Sequence, residues 1–252
     1  MRGLARTGLT ARGVIFILIG WVAILVALGR SARQADQQGA LQLLAGKPYG
    51  LVSLWLLGIG FAAYSLWLLS EAAFGVTGEG DKAGPRLKSL GNAVVYASFA
   101  VLAFKVISGA AGSQTGRQQD FTAKVMQYPA GQWVVGTVGL AIVIGGVVLV
   151  IEGVRRTFMK YLMTSQMSAR TRRAVRLLGT VGSVARGVVI ALAGAGVIEA
   201  AVTHSAAKSG GLDQALLTLR DQPFGEVLML AAALGLLIFG LYGLCEARWR
   251  KV

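Results

Sequence analysis

Residues 223–246, PFGEVLMLAAALGLLIFGLYGLCE, decide the fold. A Pro-x-Gly turn opens the stretch, a glutamate closes it, and the apolar run between them is about as long as the helix needed to cross ~30 Å of hydrocarbon. The frame occurs twice more, as PYGLVSLWLLGIGFAAYSLWLLSE at 48–71 and PAGQWVVGTVGLAIVIGGVVLVIE at 129–152. Pro48, Pro129 and Pro223 are each followed by Gly50, Gly131 or Gly225, and 23 positions after each proline stands Glu71, Glu152 or Glu246. The same punctuation around three apolar spans marks an internal triplication.

Upstream of each frame lies a second apolar span: ARGVIFILIG at 11–20, NAVVYASFA at 92–100 and ARGVVIALAG at 185–194. Charge-poor runs at 13–29, 50–70, 90–110, 131–151, 187–203 and 225–245 thus predict an all-α integral membrane protein. Its six transmembrane helices form three pseudo-symmetric two-helix repeats. The expected organisation is repeat 1 over 1–80, repeat 2 over 81–154, a basic linker over 155–176 and repeat 3 over 177–252. A content of 55% hydrophobic and 14% charged residues excludes an ordinary soluble domain. Of the 25 Lys and Arg residues, 17 fall on the face shared by the termini and the even-numbered loops, which predicts both termini in the cytoplasm.

The net charge of +14 would point to nucleic acid in a soluble protein, but topology accounts for it here and no nucleic-acid partner is expected. The segment Arg155–Arg176 mixes cations with Phe158, Met159, Leu162, Met163 and Met167, and reads as a partly helical linker lying against anionic lipid headgroups. Cys245 and His204 are the only cysteine and histidine, so an intrachain disulfide and a cysteine metal cluster are excluded. No Walker loop, HExxH pair or nucleophile–histidine set occurs, so neither a cofactor nor enzymatic chemistry is expected.

Between the two spans of each repeat, the stretches ending at Pro48, Pro129 and Pro223 read as short interfacial helices capping the outer ends, with the proline starting the next helix. At the opposite ends, a glutamate at a helix C-terminus opposes the dipole and calls for a cation. The expected interhelical clamps are Arg12 with Glu71 and Arg186 with Glu246, each within one repeat. Repeat 2 has Asn92 in place of the arginine, which sends Glu152 to Arg155 or Arg156. Lys105 and Glu199 lie inside spans at equivalent positions of repeats 2 and 3, and are expected either to pair or to snorkel separately to the outer headgroups.

The Ala11-Arg12-Gly13 and Ala185-Arg186-Gly187 openings, the segment Gly39-Ala40-Leu41-Gln42, the Pro48-Tyr49-Gly50 and Pro223-Phe224-Gly225 turns and the closing Glu-Ala resemble a bacterial membrane family, domain of unknown function 1206. The resemblance covers nearly the whole chain, departs in repeat 2 at Asn92-Ala93, and implies six spans in a bacterial cytoplasmic membrane with no activity attached. Two functional readings stand. The favoured one is a non-enzymatic scaffold or accessory subunit contacting lipid, a membrane complex or a second copy. The other is a small channel or transporter with a Lys105/Glu199 site.

Overall fold

A computed structural model describes residues 2–31, 34–75, 83–110 and 112–251. Nine α-helices follow one another among them: α1 (Arg2–Ala27), α2 (Gln37–Ala45), α3 (Gly50–Phe74), α4 (Ala83–Ile107), α5 (Gln114–Met126), α6 (Gly131–Val154), α7 (Ala169–Thr203), α8 (Gly211–Arg220) and α9 (Gly225–Trp249). Six of them, α1, α3, α4, α6, α7 and α9, are long and apolar enough to cross a membrane. The expected boundary at 80/81 lies outside the described residues.

The helices associate between repeats more closely than within them. The tightest packing is α9 on α1, α3 on α4 and α6 on α7, so the second helix of each repeat lies against the first helix of the next, cyclically. Small residues at equivalent, seven-residue spacing make this possible. A Cβ on Gly13 would stand 2.9 Å from Gly240 O, one on Gly20 would stand 2.8 Å from Ala233 O, and Gly187 and Gly194 approach Gly146 and Gly139 in the same way. At the third contact Ser65 and Ala93 occupy these positions, and Ser65 Oγ donates to Ala93 O at 2.8 Å. Close backbone approach through small residues is how helices gain contact where the surrounding lipid is as apolar as their side chains.

Contacts within repeats 1 and 3 join these pairs into an open ring of six helices in the order α4, α3, α1, α9, α7, α6, with the gap between α4 and α6. In repeat 1, Gly8 lies against the backbone of Tyr64; in repeat 3, Gly182 lies against that of Phe239. The equivalent pair in repeat 2 is Lys88 and Gly145, with the large and small residues exchanged. Nothing lies within 4 Å of a Cβ placed on Gly145. Lysine on α4 prevents the close approach that glycine allows in α1 and α7, and α4 and α6 stay apart.

The recurrent Pro-x-Gly is a turn closing the short outer helices α2, α5 and α8. Gly50 N donates to Lys47 O at 2.8 Å and Gly131 N to Tyr128 O at 2.9 Å, with the proline second in each turn. The prolines therefore precede the spanning helices instead of starting them, and α3, α6 and α9 begin at the glycines. A Cβ on Gly50, Gly131 or Gly225 would strike the carbonyl of Leu44, Val125 or Arg220 in the preceding helix, which explains the glycine at the fourth turn position.

The outer helices interlock with the order of the ring. Gln38, Gln119 and Asp213 are equivalent, each ten residues before its proline. Arg117 Nη2 donates to Gln38 Oε1 at 3.3 Å, Gln119 Nε2 to Ala207 O at 2.8 Å, and Ala35 N to Asp213 Oδ1 at 2.7 Å. At the opposite end, the linker folds against the C-terminal tail: Met163 N donates to Trp249 O at 2.8 Å and Lys251 N to Tyr161 O at 2.9 Å. The expected linker is shorter than 155–176, because Ser168 caps α7 and the helix already runs from Ala169.

Replacing Gly187 with leucine should force α6 off α7 and lower stability in detergent by about 1–3 kcal/mol, whereas alanine at Gly91, with nothing nearby, should leave the melting temperature unchanged or raise it. A second prediction concerns Asp36, whose Oδ1 accepts from Gly39 N at 2.9 Å to cap α2. Burial, reinforced by Asp213, pushes its carboxyl up from 3.8 to about 6 against the Gly39 amide. Because the native value is the higher one, the favourable contribution is intact below about pH 4 and is lost as the pH rises through about 6. Asp36→Asn keeps a good cap and should raise stability near pH 7.5 by up to about 3 kcal/mol, with little change near pH 4, as read by thermal unfolding.

Candidate functional site

The ring encloses a cavity of about 1000 Å³ to which all six long helices contribute. Gln37, Gln118 and Leu212, equivalent residues of the three outer helices, face its outer end, and Phe158, Tyr161 and Arg250 its opposite end. The walls at mid-height are apolar, with Val95 and Phe99 on α4, Ile142 and Leu149 on α6, and Ile190 and Ala193 on α7. At roughly 30 Å³ per water the space equals some thirty waters. It faces outward between α4 and α6, where Val95 and Val148 are exposed on the two sides of the gap.

The polar groups gather at the end near the chain termini. Arg12 of α1 forms a buried ion pair with Glu246 of α9, and its Nη1 donates to Tyr64 OH at 3.3 Å. Glu246 is shared with Arg250, which also lies 3.7 Å from Glu71 and stacks over Trp67 at 4.7 Å. Glu71 accepts from Ser89 Oγ of α4 at 3.1 Å. Arg186 makes no ion pair among the described residues. Its guanidinium lies over the rings of Phe239 at 4.8 Å and Phe16 at 5.4 Å, and its buried Nε lacks a hydrogen-bond partner. Across the gap, Lys88 Nζ of α4 meets the carboxylate of Glu152 on α6 at 2.6 Å.

This geometry corrects the expected pairings. Arg12 meets Glu246 instead of Glu71, and Arg186 does not meet Glu246, because the tight helix pairs run between repeats and bring each arginine beside the preceding repeat's glutamate. Glu152 takes Lys88 in place of Arg155 or Arg156. Its symmetry-equivalent partner would be Arg186, which is why that arginine is left over. Lys105 and Glu199 do not meet. Lys105 is exposed in the last turn of α4, and Glu199 pairs with Lys208 at 3.2 Å, both half-exposed. The packing face of α7 follows Gly187, Gly194 and Val197, and that of α4 follows Ala93, Tyr96 and Ala100, which leaves both charges on outer faces.

Lys88, Ser89, Tyr64 and Arg250 were missed from sequence. Arg250 carried a signal, standing one helical turn after Glu246, and Lys88 stood where the other repeats have glycine. No group of three or more His, Cys, Asp or Glu suited to a metal occurs among the described residues.

The fold and cavity define a class: an all-helical chain with three two-helix repeats and six helices of membrane-crossing length and hydropathy. The chain belongs to the family described as Domain of Unknown Function (DUF1206), whose model matches three times, at residues 7–75, 87–156 and 181–250. Over 250 residues it is 33% identical to the "Uncharacterized protein YxxB" of Bacillus subtilis (strain 168), covering 98% of this chain and 90% of the relative. No solved structure matches it.

Glu246→Gln strands the buried Arg12 guanidinium and should cost about 3–5 kcal/mol in a neutral detergent, whereas Arg12→Ala leaves Glu246 paired with Arg250 and should cost less. Arg186→Gln removes an unpaired cation and should be neutral or stabilising by the same thermal assay.

Proposed function

We propose that the protein is a membrane-embedded, non-enzymatic binding protein that takes an amphiphile sideways from the bilayer, through the gap between α4 and α6, into the chamber within the ring. The observation that carries this reading is the exchange of Gly and large residue at Lys88 and Gly145. It parts the ring in one repeat only, and it opens the cavity sideways between two spanning helices. A site with apolar walls and a few convergent polar groups is the usual form of a small-molecule pocket. The interlocked outer helices support sideways access over passage from the outer face.

An accessory subunit that only packs against a partner needs no polar groups inside its spans, and Arg12, Arg186, Glu71 and Glu246 around one chamber favour a binding site instead. The excess of Lys and Arg on the face that carries both termini supports a cytoplasmic location for the charged end. The Bacillus relative supports a bacterial cytoplasmic membrane.

A phospholipid carrying a photoactivatable diazirine in its acyl chain tests the reading in reconstituted vesicles. Adducts should form on chamber-facing Phe99, Ile142 and Leu149, and should fall when Gly145→Phe fills the gap. Adducts confined to outward-facing residues such as Val138, Leu140 and Ile144 would sink it.

A further inference from the structure

The inner end of the chamber is unevenly charged. Arg12, Arg186 and Arg250 face it together with two carboxylates, Glu71 and Glu246, and at the rim Lys88 and Glu152 cancel one another. One positive charge is in excess. Arg12 and Arg250 are held by Glu246 and Glu71, whereas Arg186, over the rings of Phe239 and Phe16, makes no ion pair among the described residues, and its Nε, like that of Arg12, has no hydrogen-bond partner. A partly buried guanidinium without a counter-ion is unfavourable, and an anion in the chamber would relieve it. Glu152 could serve by symmetry, but it is drawn across the gap to Lys88.

We propose that Arg186 is the binding site for the monoanionic phosphodiester headgroup of a phospholipid whose acyl chains lie along the apolar walls and out through the gap. This rests on the sideways-access reading above. Three observations select the ligand. A phosphodiester carries one negative charge and would neutralise the excess. Asn92, equivalent to Arg186 and therefore at the same level of the ring, faces the chamber from α4. Its amide can donate to further oxygens, as a many-oxygen headgroup requires, without adding a second positive charge. Depth agrees as well: Arg186 precedes Thr203, the outer end of α7, by 17 residues. At 1.5 Å per residue that is about 25 Å, near the headgroup level of the leaflet on the terminal side of a ~30 Å core.

The experiment uses diazirine-tailed phosphatidylglycerol and phosphatidylcholine with identical chains, on the full chain in neutral detergent. Chamber adducts should favour phosphatidylglycerol by about tenfold, the preference should vanish in Arg186→Gln, and Arg186→Lys should retain most of it. The unfolding temperature of Arg186→Gln, expected at or above that of the unsubstituted protein, separates lost recognition from lost fold. Chamber adducts without headgroup preference, or with a preference that survives Arg186→Gln, would overturn the headgroup site and leave sideways access standing. No chamber adducts with either lipid would overturn both. Displacement of phosphatidylglycerol by inorganic phosphate would assign the site to a free anion, and displacement by oleate to a carboxylate, and either would overturn the phospholipid.

Discussion

Where a glycine on one helix meets the backbone of an aromatic residue on its neighbour, two spanning helices come close enough to seal the ring. Gly8 against Tyr64 and Gly182 against Phe239 do this in repeats 1 and 3. The rest of the structure depends on the third instance, in which Lys88 and Gly145 have changed places. Lysine is too long to permit the approach and too strongly charged to face hydrocarbon without a partner. It reaches Glu152 across the space that its own bulk maintains.

The electrostatics follow from that exchange. With Glu152 turned toward Lys88, the three-fold pattern of arginine against the preceding repeat's glutamate survives only at Arg12 and Glu246. Glu71, facing Asn92's helix, takes Ser89 and Arg250 instead. Arg186 keeps its charge, its ring contacts and its place on the chamber wall, but no carboxylate. A triplicated sequence thus yields an asymmetric chamber through changes at few positions, and the exchange that opens it lies in repeat 2.

The fold was legible because its determinants are periodic: span length, Pro-x-Gly turns and terminal glutamates recur at fixed spacing, and each has a local cause. Pro48 and Gly50 belong to one turn whose fourth position must be glycine to clear Leu44 O, a constraint local to the segment that repeats with it. The site was legible in its residues but not in its pairings. Arg12, Arg186 and Glu246 stood out as charges at repeated positions, yet which glutamate meets which arginine depends on whether helices pack within or between repeats. The repeat pattern is silent on that. Lys105 and Glu199 stand out as charges within spans at equivalent positions, but equivalence between repeats does not say which helix face is inward. The decisive Gly145 was hidden for a physical reason, since a glycine in a membrane helix normally marks close packing and here marks open space.

The opening between α4 and α6 is the claim on which chamber, access and headgroup site all rest, and pulsed EPR measures it directly. Two spin-label pairs at equivalent positions, Leu90 with Ile151 in repeat 2 and Thr10 with Ser70 in repeat 1, are compared in lipid nanodiscs in a Cys245→Ser background. The account predicts a clearly longer separation for Leu90 and Ile151 than for Thr10 and Ser70. Equal separations would mean that repeat 2 closes like the others, and would contradict it.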